Sequence, residues 1–326
     1  MIDLSLLPPP EVVETLEFET LYQEVLADFR LQMGDQWTAL LESDPIVKLL
    51  EVAAFQKMLG RARVNDAAKS SLLAYARGTD LDNRAADYGV QRLTLIPADP
   101  DAVPPVAAVM EGDEALRYRT RLSLEALSVA GSRGAYEFHG LSASASVASV
   151  SVDSPTFKGV PVPAALQAQL PAGAIVLVCD YAAGLDNPLP GDVSLAVLPR
   201  LDSPVPGAEV VAGVQAALSA EDVRPLTDRP RAQLGQPTAF NVAAVLELDA
   251  GPDPAVVKAA SRASLDAALA AARRLEGQLP LSAIYAALHV TGVRRVRLTQ
   301  PLADVTSDKR HYPSCSSVTL ATEVIA

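Results

Sequence analysis

The stretch from Asp44 to Arg92, DPIVKLLEVAAFQKMLGRARVNDAAKSSLLAYARGTDLDNRAADYGVQR, constrains the chain more than any other. Asp44 before Pro45 is a strong helix start: the carboxylate accepts from free first-turn N–H groups, and proline fits the first helical position. Apolar residues then recur at Ile46, Leu49, Leu50, Ala53, Ala54, Met58 and Ala62, a broad helical stripe. Ala67, Ala68, Leu72, Leu73 and Ala76 continue it to the stop signal Arg77-Gly78. Unbroken from Pro45 to Ala76, that helix would run roughly 48 Å at about 1.5 Å per residue. Thr79-x-x-Asp82, around Leu81, reads as a capping box for a short helix ending at Gly89. Arg61, Asn65 and Asp82 are read as caps and helix-packing contacts. An element this long suits a scaffold or an interface better than a catalytic centre.

Length comes next. A chain of 326 residues is too long for one ordinary domain. The expected class is α+β and multidomain. An all-helical segment spans 1–96, a central α+β domain 97–230, and a C-terminal α+β domain, suited to dimer contacts, 231–326. A net charge of −12 argues against a nucleic-acid or anionic-membrane partner, which would require a basic surface. No apolar run is long enough for a membrane span, and the N-terminus lacks a signal-peptide pattern. Cys179 and Cys315 cannot build a disulfide framework, so a cytoplasmic folding site is the simplest reading.

In chain order, residues 1–10 read as an extended tail ending in Pro8-Pro9-Pro10. Helices are expected over Glu11–Met33, with a short one around Trp37–Leu41. PADPDAVPP, residues 97–105, reads as a solvated linker. Gly112–Leu127 is expected as a solvated, ion-paired helix with Arg117, Arg119 and Arg121 spread around it. Gly131-Ser132 opens another helix. Strands are expected at Val147–Val152, Ala174–Cys179 and Asp192–Leu198, followed by a helix over Gly207–Ala220. Phe240–Leu248 alternates as a strand, and Asp253-Pro254 starts a helix to about Leu275. Pro280 opens a helix to Gly292, Val293–Leu298 is a strand, and Ser317–Val324 closes a helix-on-sheet domain. Its open sheet edges would suit pairing with another chain.

Chemical motifs are absent. No phosphate-binding glycine loop, nucleophile elbow or zinc-protease signature occurs. Gly131-Ser132-Arg133-Gly134 lies between helices and reads as a cap. Asp99 and Asp101 lack the rest of a calcium loop. His139, His289 and His311 are isolated, and His311 with Cys315 has no second ligand pair. No metal, no cofactor and no enzymatic activity are expected.

The capped stretch DPIVKLLE…GRARVNDAAKSSLLAYARGTDLDNRAADYGVQR resembles the baseplate J-like family, wedge proteins of contractile phage tails and related bacteriocins. RYRTRLSLE, AGSRGAYEF, the VRPLTD turn and SAIYAALHVTGVRRVRLTQP follow in order, so the resemblance covers about residues 44–301. Each segment is a cap, an Ala-Leu face or a turn; their joint order and spacing makes the match specific. Residues 97–105 and 313–326 depart from it. The resemblance implies a structural wedge subunit in the virion's tail baseplate, assembled in the host cytoplasm. Its implied partners are a second copy of itself, a tail-protein-I-type wedge protein forming a helical bundle with it, the sheath initiator and the central hub. Wedges of this kind relay the trigger for sheath contraction. The positions expected to serve the partner interface or the structural motif are Asp44, Pro45, Leu49, Leu50, Arg61, Asn65, Leu72, Leu73, Gly78, Leu81, Asp82 and Gly89. Two other readings remain: an intracellular enzyme using carboxylates that motifs do not reveal, and a soluble helical adaptor or chaperone outside any phage particle.

Overall fold

A computed structural model describes residues 4–34, 41–127, 131–167, 169–171, 173–251 and 253–325. The chain divides into two compact units, residues 1–92 with 112–121, and residues 93–111 with 122–326. Helices and small sheets make it a multidomain α+β protein.

The first unit is helical. Helix α1, Phe18–Met33, lies against α2, Pro45–Ser70. Asp44 caps α2 by accepting from the Ile46 N–H at 2.8 Å. Glu14 meets Arg61, Glu24 meets Lys57, and Leu26 and Val47 line one cleft, so the two helices run antiparallel. Leu21 and Leu26 of α1 and Val47, Leu50 and Ala54 of α2 are buried. Each large side chain among them contributes ~1.5–3 kcal/mol.

Several expectations fail here. Helix α1 starts at Phe18, not Glu11: Glu11 and Val12 form a turn in which the Val13 N–H donates to the Pro10 carbonyl at 2.9 Å, and the Asn65 side chain takes both backbone groups of Glu14. Helix α2 stops at Ser70 rather than Ala76. Ser70 and Ser71 hydroxyls donate back to the Ala67 and Ala68 carbonyls, and the chain then turns, with Tyr75 N–H bonded to Leu72 O. Leu72 is therefore outside the helix and exposed, and Leu73 lies in the same turn. At 26 residues α2 is roughly 39 Å long. The expected helix at Trp37 lies outside the described residues, Leu41 excepted. Helix α3, Gly78–Ala86, buries Leu81 and Ala85. It closes at Gly89, whose φ of 71° permits the bonds Gly89 N–H to Ala86 O and Val90 N–H to Ala85 O. Helix α4, Asp113–Leu122, ends before the expected Leu127; a separate 3-10 turn covers Glu125–Leu127.

The second unit begins with a hairpin arm. Strands β1, Thr94–Ile96, and β2, Val109–Met110, pair antiparallel. Asp99 and Val106 exchange both backbone hydrogen bonds at 2.9 Å. The expected linker is thus the tip of an antiparallel arm, and Asp99 stabilises its turn by accepting from the Asp101 and Ala102 N–H groups.

Helix α5, Arg133–Ser142, precedes β3, Val147–Asp153; β4, Thr156–Val160; the short α6, Ala164–Gln167; and β5, Val176–Tyr181. Strand β6, Asp192–Pro199, helix α7, Gly207–Leu218, and β7, Arg229–Leu234, complete the region. The sheet order is β3-β6-β7, with β6 antiparallel to β3 and parallel to β7. Helix α7 is the crossover of that parallel pair. Leu195, Val197, Val214 and Leu218 are completely buried in its core. Strands β4 and β5 form a separate two-stranded ribbon.

The last region holds β8, Gln236–Leu248; α8, Pro254–Ala272; β9, Gln278–Leu279; α9, Leu281–Leu288; β10, Val293–Gln300; β11, Val305–Thr306; and β12, His311–Val324. Its main sheet runs β10-β8-β12. The alternation read from the sequence is real: Val242, Ala244, Leu246 and Leu248 face a core shared with Val257 and Leu265 of α8 and Ile284 and Leu288 of α9. Strand β12 starts six residues earlier than expected, at His311, and pairs parallel with the whole of β8.

Candidate assembly surfaces

Helix α2 has two apolar faces. Val47, Leu50, Ala54 and Asn65 form the buried one. At about 100° per residue, Leu49, Val52, Phe55 and Leu59 fall on the opposite side. They are 67%, 57%, 45% and 44% exposed. The expected single broad stripe is therefore two: Leu50 packs inside the unit, while Leu49 faces outward.

The polar positions singled out on α2 serve packing. Asn65 is buried and clamps one residue of the preceding chain from both sides. Its Oδ1 accepts from the Glu14 N–H at 3.0 Å, and its Nδ2 donates to the Glu14 carbonyl at 2.8 Å. A side-chain amide is the shortest group that can satisfy a backbone donor and acceptor together. Arg61 bridges Glu14 at 3.1 Å and Glu24 at 3.4 Å, joining the same segments at the surface.

The turn between α2 and α3 is fastened by arginines. Arg117 on α4 donates to the Leu73 carbonyl at 2.8 Å and the Ala76 carbonyl at 2.6 Å, and pairs with Glu114. Arg119 donates to the Gln91 carbonyl at 2.6 Å. Both are buried, which overturns the expectation of a solvated basic helix. The guanidinium fork explains why: it reaches carbonyls that an irregular turn leaves unpaired. Arg92 bonds Asp82 at 2.7 Å and Asp113 at 2.8 Å. Burial opposes its charge, but the two carboxylates outweigh that and hold its pKa above the ordinary value. Gly78 starts α3 rather than ending the long helix, and its N–H donates to Asp113 at 3.1 Å. That bond, followed by Arg92, keeps the Asp113 carboxyl below the usual range. The cap expected from Thr79 and Asp82 is thus supplied by Asp113, and Asp82 serves as an ion-pair partner.

In the second unit, two distant segments meet. Ser132 caps α5 by accepting from the Ala135 N–H at 3.3 Å, as read from the sequence. Tyr136 donates to Asp228 at 2.7 Å, joining α5 to the Arg224–Asp228 turn. Burial first, then Asp228, pushes the Tyr136 phenol well above its ordinary value. A cavity of about 300 Å³ lies beside this bond, lined by residues including His139, Asp222 and Arg224. Burial depresses the His139 pKa, against the pull of Asp222. The Asp192 side chain is fully enclosed; it accepts from the Leu189 N–H at 2.9 Å and sits 3.0 Å from Arg229 Nε and 3.2 Å from Arg231. These carboxylates hold turns and strands together. Among the described residues, no cluster of three His, Cys, Asp or Glu could hold a metal ion. His311 pairs with Asp308, and the Cys315 thiol donates to Ser317 O, so the two do not converge.

Arg92, Arg117, Arg119, Asp113 and Asp192 carry the polar architecture; Arg117 and Arg119 are expected from the sequence in solvent, and no role is expected for the other three. Their burial depends on where the 71–91 turn and the β6-β7 pair fall in space, and no spacing rule encodes that.

Comparison with known proteins follows the same segments. The Baseplate J-like N-terminal domain model matches residues 42–99, covering α2, α3 and the start of the arm. The Baseplate J-like protein C-terminal domain model matches residues 240–321. That second match includes most of β12, and so extends into the 313–326 segment where the sequence departs from the resemblance. The chain is also 39% identical over 328 residues to Baseplate protein J of Escherichia phage P2, covering 99% of this chain and 98% of that protein.

Proposed function

Because the chain belongs to the baseplate J-like family, we propose that it is a structural wedge subunit of a contractile tail baseplate. In that role it assembles with other baseplate proteins and relays the trigger for sheath contraction. The relationship to the phage P2 protein supports a structural role in the tail baseplate of a virion.

The observation that carries the assembly reading is the outer face of α2. A helix apolar on one side is satisfied by α1; one apolar on both sides needs a second covering. Burying Leu49, Val52, Phe55 and Leu59 would contribute on the order of 5–10 kcal/mol gross, before association costs. The occupant in this reading is a helix of a tail-protein-I-type wedge protein, bundled with α2 of this chain and of a second copy. The sheath initiator and central hub are the further neighbours. We also propose that the C-terminal region supplies the contact between copies, since β10 and β12 are both edge strands.

Co-expression with the neighbouring wedge protein tests this. A stable stoichiometric complex on size-exclusion chromatography is expected. A well-behaved monomer that leaves the partner unbound refutes it.

A further inference from the structure

We propose that residues Ala272–Gln278, together with Ser307–His311, form a clasp that locks the two sheets of the second unit into one mechanical body. The inference does not depend on the baseplate role.

The backbone makes the first connection. Strand β7 runs directly into β8 through Gly235. The Gly235 N–H donates to Val197 of β6 at 2.8 Å, and the next N–H, of Gln236, donates to Arg310 beside β12 at 2.8 Å. Consecutive residues thus serve one sheet and then the other, leaving no slack linker between them.

The second connection is the strained segment after α8. Glu276 is a non-glycine residue at φ 60°. Its N–H is shared between the Asp308 and His311 carbonyls at 3.2 Å each. Its carboxylate accepts from Ser151 of β3 at 2.6 Å. Gly277 follows because a Cβ there would collide with the Ala272 carbonyl and lie 2.6 Å from the Arg274 carbonyl. Leu275 is buried with Ala196 and Leu198 of β6, and Tyr312 of β12 packs against that cluster. Arg273 donates to the Pro199 carbonyl at 3.2 Å and stacks over Tyr312 at 5.1 Å. From the other side, Lys309 pairs with Asp153 at 2.6 Å, and that carboxylate also accepts from Tyr181 at 2.5 Å.

These bonds differ from a domain contact between independent bodies. Main-chain bonds, an apolar plug and ion pairs cross the same junction, and a backbone in a sparsely populated conformation is retained where its surroundings determine it. A hinge needs the reverse, a short segment with few fixed partners. Displacing the C-terminal sheet therefore carries the central sheet with it.

The test is native-state hydrogen exchange on the full-length protein across a urea series, following amides of β6 and β8. In the wild type both sets should converge on one isotherm. Leu265→Ala, confined to the C-terminal core, should lower protection of β6 amides as much as that of β8 amides. Gly277→Ala should separate the two isotherms. Should that variant fail to fold, the double variant Ser151→Ala/Arg273→Ala removes side-chain bonds and the Arg273–Tyr312 stack without altering the main chain, and should separate them as well. Two isotherms in the wild type, a Leu265→Ala effect restricted to β8, or a single isotherm in the clasp variants would each overturn the proposal.

Discussion

Replacing Arg117 with alanine would remove the anchor of the α2–α3 turn while leaving every helix its own core residues. The side chain is buried and donates to two carbonyls, Leu73 O at 2.8 Å and Ala76 O at 2.6 Å. Truncation strands both acceptors in a turn with no ladder to receive them. At ~1–3 kcal/mol per unsatisfied buried group, and with partial relief from water entering the vacated space, the expected loss is ~3 kcal/mol. The pair with Glu114 adds little, since that carboxylate is 90% exposed. Arg117→Lys should recover only part of the loss, because an ammonium on a single stem does not reproduce the planar fork. Urea unfolding followed by helical circular dichroism reads the effect. With slopes of ~1–3 kcal/mol per molar urea, the transition of the helical unit should move down by roughly 1–3 M. A shift below about 0.5 kcal/mol, or full rescue by lysine, would refute the reasoning, for the arginine would then be an incidental surface group.

Further predictions concern single contacts. Asn65→Ala should leave α2 intact but free the chain before α1, seen as faster hydrogen exchange at the Glu14 amide; unchanged protection would mean the clamp is not what holds it. Asp192→Asn should destabilise the second unit by ~1–3 kcal/mol, since it removes the charge facing Arg229 and Arg231, which keep some solvent of their own; a neutral result in urea unfolding contradicts this. Stability of the second unit should hold a plateau and decline on both sides. His139 is depressed below 6.5, so the unfolded chain takes up its proton first and stability falls as pH drops below that value. Tyr136 is raised above 10.0, so its contribution is complete below 10.0 and lost at higher pH. Thermal unfolding against pH reads both limbs, and Tyr136→Phe should shrink the alkaline one, leaving the part that the raised Tyr181 and Lys158 contribute.

What was legible in the sequence was local. The Asp44-Pro45 and Asp253-Pro254 caps form as read, because an aspartate and a proline decide a helix start by themselves. The β8 alternation survives because one face of that strand is buried along the stretch that was read. The errors concern residues whose state is set elsewhere. Leu49 and Leu50 are adjacent and chemically alike, yet one is exposed and the other buried. Only the position of α1 separates them. Three arginines at spacing two suggested solvent, and Arg117 and Arg119 are buried because irregular carbonyls surround them. Strand β7, RPRAQL, was not read as a strand, since its polar sequence is tolerated at a sheet edge beside β6. The same distinction governs mutational tests of assembly. Leu50→Asp would place a charge inside the helical unit and unfold it, whereas Leu49 and Val52 can be altered without touching that core.

The central claim is that the outer face of α2 is an assembly surface, and its most direct measurement is partner binding by a Leu49→Asp/Val52→Asp variant. The assay is titration against the purified tail-protein-I-type wedge protein. Leu226→Asp, at a side chain 95% exposed in the other unit, is the control. The account predicts an unchanged circular dichroism spectrum, a control that binds like the wild type, and at least ~100-fold weaker binding by the double variant. Wild-type affinity in a folded double variant would contradict it.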